Sequence, residues 1–187
     1  MHDLLTLCLM TESRVTNIPI FLFFELQLQT LRWLDLSPNE ITMTSILLQY
    51  ASFFAFGGSN AISSIDLSNA YNGISGYNVV AVGILTFCSN WAGPIWWTSA
   101  TVILLSEKRR ERPDNWLRHL SLMTGIVGVS VLCVMLSCTA LRTHLFIWTV
   151  FSPKYLYSMA WSLGHHLCIN VLFGSLLYAL GRVPYRL

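Results

Sequence analysis

The sequence predicts an all-α protein, a polytopic transmembrane helical bundle of about four or five spans with no soluble domain. Of its 187 residues, 54% are hydrophobic and only 11% are charged, whereas an average soluble domain has about 25% charged residues. The mean hydropathy is +0.56. The apolar residues also run in blocks long enough to cross a bilayer core, which takes about 20 helical residues. These observations indicate that residues 1–187 form a single membrane domain.

Five segments are predicted to span or enter the membrane. The clearest one has no charged residue and lies between Arg118 and Arg142, whereas the first contains Glu25 and is the weakest. The second segment, 41–57, is shorter and ranks fourth among the candidate spans. In chain order, the predicted spans are 18–31, 41–57, 77–105, 120–141 and 155–180.

The third span is too long to cross the membrane as one straight helix. We expect it to tilt, kink or break near Gly93 and Pro94. Because proline has no backbone N–H, Pro94 is expected to leave the carbonyl of Asn90 free at roughly mid-depth. A headgroup pocket would then be bordered by Ser89, Asn90, Trp91, Trp96 and Trp97, or the kink would simply pack against a neighbouring helix.

The basic residues predict the orientation of these spans. Loop 106–118 holds five of the eleven Lys and Arg residues and is assigned to the cytosol, whereas loop 59–76 holds none and is assigned to the lumen. Threading the chain through five spans puts eight basic residues on the cytosolic side and three, namely Arg14, Arg142 and Lys154, on the luminal side. The net charge of +2 is too small to predict nucleic-acid binding, and the basic residues are concentrated in one short loop and do not line a face.

The luminal loop is rich in hydroxyl and amide side chains, and its single charged residue is Asp66. Such a segment presents neutral donors and acceptors that suit a lipid headgroup or a sugar, although a plain linker between helices has the same composition. The candidate substrate-binding residues here and at the helix break are Asn60, Asp66, Asn69, Asn72 and Asn90.

Two adjacent histidines, His165 and His166, complete the set of candidate substrate-binding residues. They lie about ten residues into the last predicted span, where ionisable groups usually face the bundle interior. His166 and Asn170 have the i, i+4 spacing that brings side chains together on an α-helix. A hydrogen-bonded interior pair is favoured over a proton relay or a ligand site.

No catalytic or metal-binding residue is predicted in this chain. The four aspartates are scattered over both sides, and the five cysteines have no metal-ligand spacing. The sequence also lacks a glycine-rich phosphate loop and the HExxH and GxSxG motifs. We therefore expect no cofactor in this chain.

Longer stretches of the chain resemble a known family. They are Ser52-Phe-Phe-Ala-Phe-Gly-Gly-Ser-Asn60, Ile65-Asp-Leu-Ser-Asn-Ala-Tyr-Asn-Gly73 and the run from Tyr77 to Gly93-Pro-Ile-Trp-Trp97. These resemble the C-terminal membrane region of the PIG-G-type GPI ethanolamine phosphate transferases, the transferase 2 branch of that family. The segment Leu145-Phe-Ile-Trp-Thr-Val-Phe-Ser-Pro-Lys-Tyr155 is similar to a motif of the PIG-O-type paralogue. The resemblance extends from about Asn17 to Arg182.

The resemblance implies a multi-pass protein of the endoplasmic reticulum membrane that takes part in GPI-anchor biosynthesis. Family members transfer ethanolamine phosphate from phosphatidylethanolamine to a mannose of the GPI glycolipid, the second mannose in the PIG-G type. Their catalysis depends on a luminal domain with a divalent metal, zinc, and that domain is absent from this sequence. Relatives associate with a PIG-F-type stabilising membrane subunit.

Two classes of function therefore stay open at the level of sequence. The chain is either the membrane portion of such a transferase, as a fragment, a mis-split gene product or a degenerate copy, or a non-enzymatic protein. In the second class it would be a small membrane transporter or a scaffold subunit.

Overall fold

A computed structural model of the chain describes residues 1–58, 65–67, 76, 78–108, 114–144, 149 and 152–181. All regular elements in these ranges are helical. The chain divides into two compact units, residues 1–107 and 108–187. The prediction of a single membrane domain is not tested by this division and stays a prediction.

The described residues of the first unit form five α-helices. In chain order, they are α1 (His2–Glu12), α2 (Ile18–Trp33), α3 (Pro38–Ala55), α4 (Val79–Asn90) and α5 (Ala92–Glu107), and a 3₁₀ turn, Val15–Asn17, precedes α2. The sequence predicted α2 and α3 within a few residues at each end. It did not predict α1, which is shorter than a membrane span.

Helix α5 lies at the centre of the first unit, where thirteen of its sixteen residues are buried. Trp96 and Trp97 are almost fully buried and pack against Phe24 of α2. The indole N–H of Trp96 donates to Thr6 Oγ1 of α1 at 2.9 Å, and His2 Nδ1 lies 2.9 Å from Ser99 Oγ. A helix that is buried on nearly all its faces needs no amphipathic pattern, and the polar residues of α5 before Glu107 are all serines and threonines.

Small residues let α3 and α5 approach closely. A Cβ atom added to Gly93 of α5 would lie 2.7 Å from the Cβ of Ser52. Further along the two helices, the hydroxyls of Ser45 and Thr101 form a 2.6 Å hydrogen bond, and Gln49 Nε2 donates to Ser45 Oγ at 3.0 Å. These interhelical contacts are those expected where polar side chains must be satisfied away from water.

The second unit contains α6 (Asn115–Ala140), α7 (Ser152–Ala160), a π-helix (Trp161–Phe173) and α8 (Gly174–Leu180). The indole N–H of Trp116 in α6 donates to Ser175 Oγ at 3.1 Å, and its ring stacks on Tyr178. These contacts join the start of α6 to the end of the last helical segment.

Two helical stretches of the described chain, Asn115–Ala140 and Tyr155–Leu180, are long and apolar enough to cross a membrane. The pair α4 and α5, which is bent by 73°, would form a third as a broken span or a re-entrant loop. The prediction of a helical membrane protein is therefore confirmed. The fourth and fifth spans stay predictions, although α2 and α3 form helices where they were expected.

The break in the third predicted span is confirmed, and it lies between the interruptions predicted at Asn90 and at Gly93-Pro94. The helix ends at Asn90 and restarts at Ala92, so that the break lies at Trp91 and Pro94 occupies the first turn of α5. The first four N–H groups of a helix have no partner within it, so a proline there removes no hydrogen bond. Pro94 therefore permits the start of α5 and leaves no gap within a helix.

Candidate functional site

The structure brings together two of the predicted site residues in the first unit. Asp66 and Asn90 contact each other near the break between α4 and α5. Asn60, Asn69 and Asn72 lie outside the described residues, so their predicted role stays a prediction.

Asn90 binds the backbone of Asp66 through both atoms of its side-chain amide. The backbone N–H of Asp66 donates to Asn90 Oδ1 at 2.8 Å, and Asn90 Nδ2 donates to the carbonyl oxygen of Asp66 at 2.9 Å. The same Nδ2 also donates to the carbonyl oxygen of Thr86 at 2.8 Å, one turn earlier in α4. Asn90 thus fixes the short segment 65–67 to the end of α4.

The carboxylate of Asp66 is bound by a residue that the sequence analysis did not select. Arg14 Nε donates to Asp66 Oδ2 at 2.6 Å. The hydrogen bond and the negative charge of Asp66 raise the pKa of the Arg14 guanidinium above its ordinary value. The charge count had placed Arg14 and loop 59–76 on the same side of the membrane, and this was the one indication in the sequence that the two residues meet.

Arg14, Asp66 and Asn90 are called the loop clamp from here on. In the clamp, the carboxylate of Asp66 binds Arg14, and the backbone of Asp66 forms two hydrogen bonds with Asn90. The Arg14 side chain is 60% exposed. A guanidinium can present two parallel N–H donors to a phosphate or a carboxylate. The clamp can therefore hold a loop in place and offer a cation to an anionic group.

The two predicted histidines lie in the second unit, and both are buried. Asn170 Nδ2 lies 3.3 Å from His165 Nε2, and Thr124 Oγ1 of α6 lies 2.9 Å from His166 Nε2. The interior placement expected for both is found. The expected pairing of His166 with Asn170 was wrong, because it is His165 that contacts Asn170.

The π-helix explains this change of partner. Its backbone bonds close over five residues, so side chains at i and i+5 come together there, whereas in an α-helix they do so at i and i+4. His165 and Asn170 have the longer spacing. His166 is then turned toward α6, where it contacts Thr124.

A metal centre does not form within the described residues. They contain no group of three or more His, Cys, Asp or Glu side chains that could hold a metal ion. The side chains described therefore do not fit the divalent metal that the resemblance implies, and no chemical step is assigned to it here.

The helices and the loop clamp define the class of this protein, a helical membrane protein region with polar contacts at its helix ends and interhelical crossings. The chain belongs to the family described as the GPI ethanolamine phosphate transferase membrane region, whose model matches residues 1–183. No solved structure matches the chain.

The chain is also similar to several named fungal proteins. It is 55% identical to GPI ethanolamine phosphate transferase 2 of Aspergillus oryzae over 186 residues, which is 100% of this chain and 20% of that protein. It is 58% identical to the protein of that name from Aspergillus fumigatus, covering 85% of this chain and 20% of the relative. With the Schizosaccharomyces pombe protein the identity is 35%, over 84% and 19% of the two chains. The chain therefore spans about a fifth of the length of these relatives.

Proposed function

We propose that this chain is the membrane portion of an ethanolamine phosphate transferase of GPI-anchor biosynthesis in the endoplasmic reticulum membrane. In this proposal, phosphatidylethanolamine donates ethanolamine phosphate to the second mannose of the GPI glycolipid. The chain positions these lipids, and the transfer itself, with its zinc ion, takes place on a domain outside the chain. A PIG-F-type subunit is the proposed membrane partner.

Two findings support this proposal over a small transporter or a scaffold subunit. The family model covers nearly the whole chain, and the relatives that carry the transferase name match it at up to 58% identity.

The observation that carries the site assignment is the loop clamp. Four hydrogen bonds of 2.6–2.9 Å link Asp66 to Arg14 and Asn90, and Asn90 to Thr86. They fix residues 65–67 at the end of α4, on the side that the charge pattern predicts to be luminal. We propose that the loop residues Asn60, Asp66, Asn69 and Asn72 face the glycolipid from there. Asn90 acts by holding the loop, whereas His165 and His166 keep a proposed part in substrate binding within the second unit.

The test is the double substitution Asp66→Ala with Asn69→Ala in a full-length relative. Losing the hydrogen bonds of a charged group typically lowers binding by about tenfold, so we expect the unmodified glycolipid to accumulate. Glycolipid composition is measured by mass spectrometry together with the protein level. The matched control is Asn39→Ala, which changes an exposed residue in the first turn of α3. Unchanged glycolipid turnover at a normal protein level would contradict the proposal.

A further inference from the structure

The guanidinium of Arg14 is only partly used by the loop clamp. Its Nε atom binds Asp66, while its two terminal nitrogens make no hydrogen bond to any described residue. Arginine binds phosphate best through two parallel N–H groups, and one edge of this guanidinium is open for such a pair. The side chain is 60% exposed, so a ligand can reach it.

An apolar cavity of about 380 Å³ lies in the first unit. It lies between α2 and α3 and is lined by apolar side chains that include Phe23, Leu48 and Ala51. Its volume is within the range of about 300–1,000 Å³ that is typical of small-molecule sites. The cavity can take an apolar chain, but it has no cation of its own among its lining residues.

Arg14 precedes Pro19, which lines the cavity, by five residues. The cavity begins at the first turn of α2, at Pro19 and Ile20, and extends inward to Gln27. From Arg14 to Pro19 the chain makes one 3₁₀ turn and enters α2, an advance of about 8–10 Å at a rise of 1.5–2.0 Å per residue. From Pro19 to Gln27 the cavity then runs about 12 Å along the helix.

We propose that Arg14 and the α2–α3 cavity together bind one phosphodiester lipid. The guanidinium binds the phosphate at the luminal end, and one acyl chain of the lipid occupies the cavity. In this site Asp66 Oδ2 positions the guanidinium by accepting a hydrogen bond from its Nε atom. The choice of a phosphodiester lipid rests on the proposed function, since both lipid substrates named there contain phosphate.

The headgroup half of the site is tested by ligand binding to the purified chain in detergent micelles. The probes are dioctanoyl phosphatidylethanolamine, inorganic phosphate and dioctanoylglycerol, titrated by calorimetry. We expect Arg14→Gln to weaken binding of phosphatidylethanolamine and of phosphate by about tenfold, as for the loss of a charge-assisted pair. Dioctanoylglycerol has no phosphate, so its binding should not change.

The cavity half is tested by Ala51→Trp, which fills the space between α2 and α3 from an exposed position. It should weaken binding of phosphatidylethanolamine by about tenfold, comparable to excluding a few methylene groups from the cavity. Binding of inorganic phosphate should be unchanged. If the site binds only free phosphate, Ala51→Trp would leave the binding of both phosphatidylethanolamine and inorganic phosphate unchanged. That result would overturn the proposal.

Two controls match these variants. Arg142→Gln removes another exposed arginine that is predicted to be luminal, and Leu132→Trp adds an indole to an exposed position of α6. Both should bind phosphatidylethanolamine within about twofold of the unmodified chain. The proposal is overturned if Arg14→Gln binds normally or if Arg142→Gln loses as much affinity. It is also overturned if Ala51→Trp leaves lipid binding intact. That outcome is expected if a protein helix, and not an acyl chain, is the natural occupant of the α2–α3 cavity. Because no step of transfer is measured, these outcomes are independent of glycolipid turnover.

Discussion

At the scale of single residues, Asp66 shows what composition can and cannot predict. It was selected because it is the single charged residue of a polar loop, and in the structure Arg14 and Asn90 bind it. Its partner, Arg14, is 52 positions away in the sequence, and no local pattern joins the two. Asn90 was selected for a free carbonyl at a proline kink, but it is its side-chain amide that contacts the loop.

The close contact between Gly93 and Ser52 gives a prediction at this scale. In Gly93→Ala, the new Cβ would lie 2.7–3.1 Å from atoms of Ser52, including a backbone carbon, so α3 and α5 must move apart. We expect a loss of about 1–3 kcal/mol in the free energy of unfolding, as for other overpacked sites. The measurement is thermal unfolding of the purified chain in detergent.

The matched control for this variant is Gly83→Ala in α4, where an added Cβ has nothing within 4 Å among the described residues. It should be neutral or slightly stabilising, because alanine favours a helix by up to about 1 kcal/mol over glycine. Adding Ser52→Gly to Gly93→Ala should recover part of the lost stability. Equal melting temperatures for Gly93→Ala and the unmodified chain would show that the two helices are not tightly packed.

At the scale of elements, helix existence was easier to predict than helix geometry. Apolar blocks of sufficient length predicted α2, α3, α6 and the last span, since burial in a membrane requires every backbone group to be bonded within a helix. The π-helix had no such indication in the sequence, and it changed the partner of Asn170 from His166 to His165. The same segment brings His166 to Thr124 of α6.

The start of α3 carries a capping box that the sequence analysis did not use. The hydroxyl and the backbone N–H of Ser37 both donate to the Glu40 carboxylate, at 2.6 and 2.8 Å. These two bonds hold the pKa of Glu40 below its ordinary value of 4.5, and the bond from the Ser37 hydroxyl has the larger effect. They explain why α3 begins at Pro38, before the apolar block at residue 41.

The capping box predicts a pH dependence of stability. Since the pKa of Glu40 is lower in the folded chain than in the unfolded one, its contribution is fully present above pH 4.5 and is lost as the pH falls through the folded value. Thermal unfolding from pH 7 to pH 3 should therefore show a smaller pH effect in Glu40→Gln than in the unmodified chain. Identical pH profiles of the two proteins would show that the charge of Glu40 does not stabilise α3.

At the scale of the whole molecule, two ion pairs relate the first unit to the predicted orientation. Arg14 binds Asp66 near the start of α2, and at its end Arg32 Nη2 lies 3.1 Å from Glu107 Oε1 of α5. The charge count had assigned the segments that carry Arg14 and Asp66 to the lumen. It had assigned those that carry Arg32 and Glu107 to the cytosol. Between them α2 has 16 residues, or about 24 Å, which is close to the thickness of a bilayer core.

Sidedness is tested with single cysteines in sealed microsomes, in a chain whose five native cysteines are replaced. Val15→Cys and Ser106→Cys introduce thiols at exposed positions near the two ion pairs. A membrane-impermeant maleimide should label Ser106→Cys directly, but Val15→Cys only after the membrane is permeabilised. Labelling of both thiols in sealed microsomes would show that α2 does not cross the membrane.

The sequence by itself determined that the chain is a helical membrane protein, where most of its helices lie, and the family it resembles. These properties follow from local hydrophobicity and from long stretches of distinctive sequence, both of which are present before the chain folds. The tertiary structure decided that Arg14 holds Asp66, that Asn90 fixes the loop, that the third span breaks at Trp91 and that His165 contacts Asn170. The first two depend on which distant side chain satisfies a polar group, and the last two depend on the local backbone geometry of a helix. Hydropathy carries no information on either.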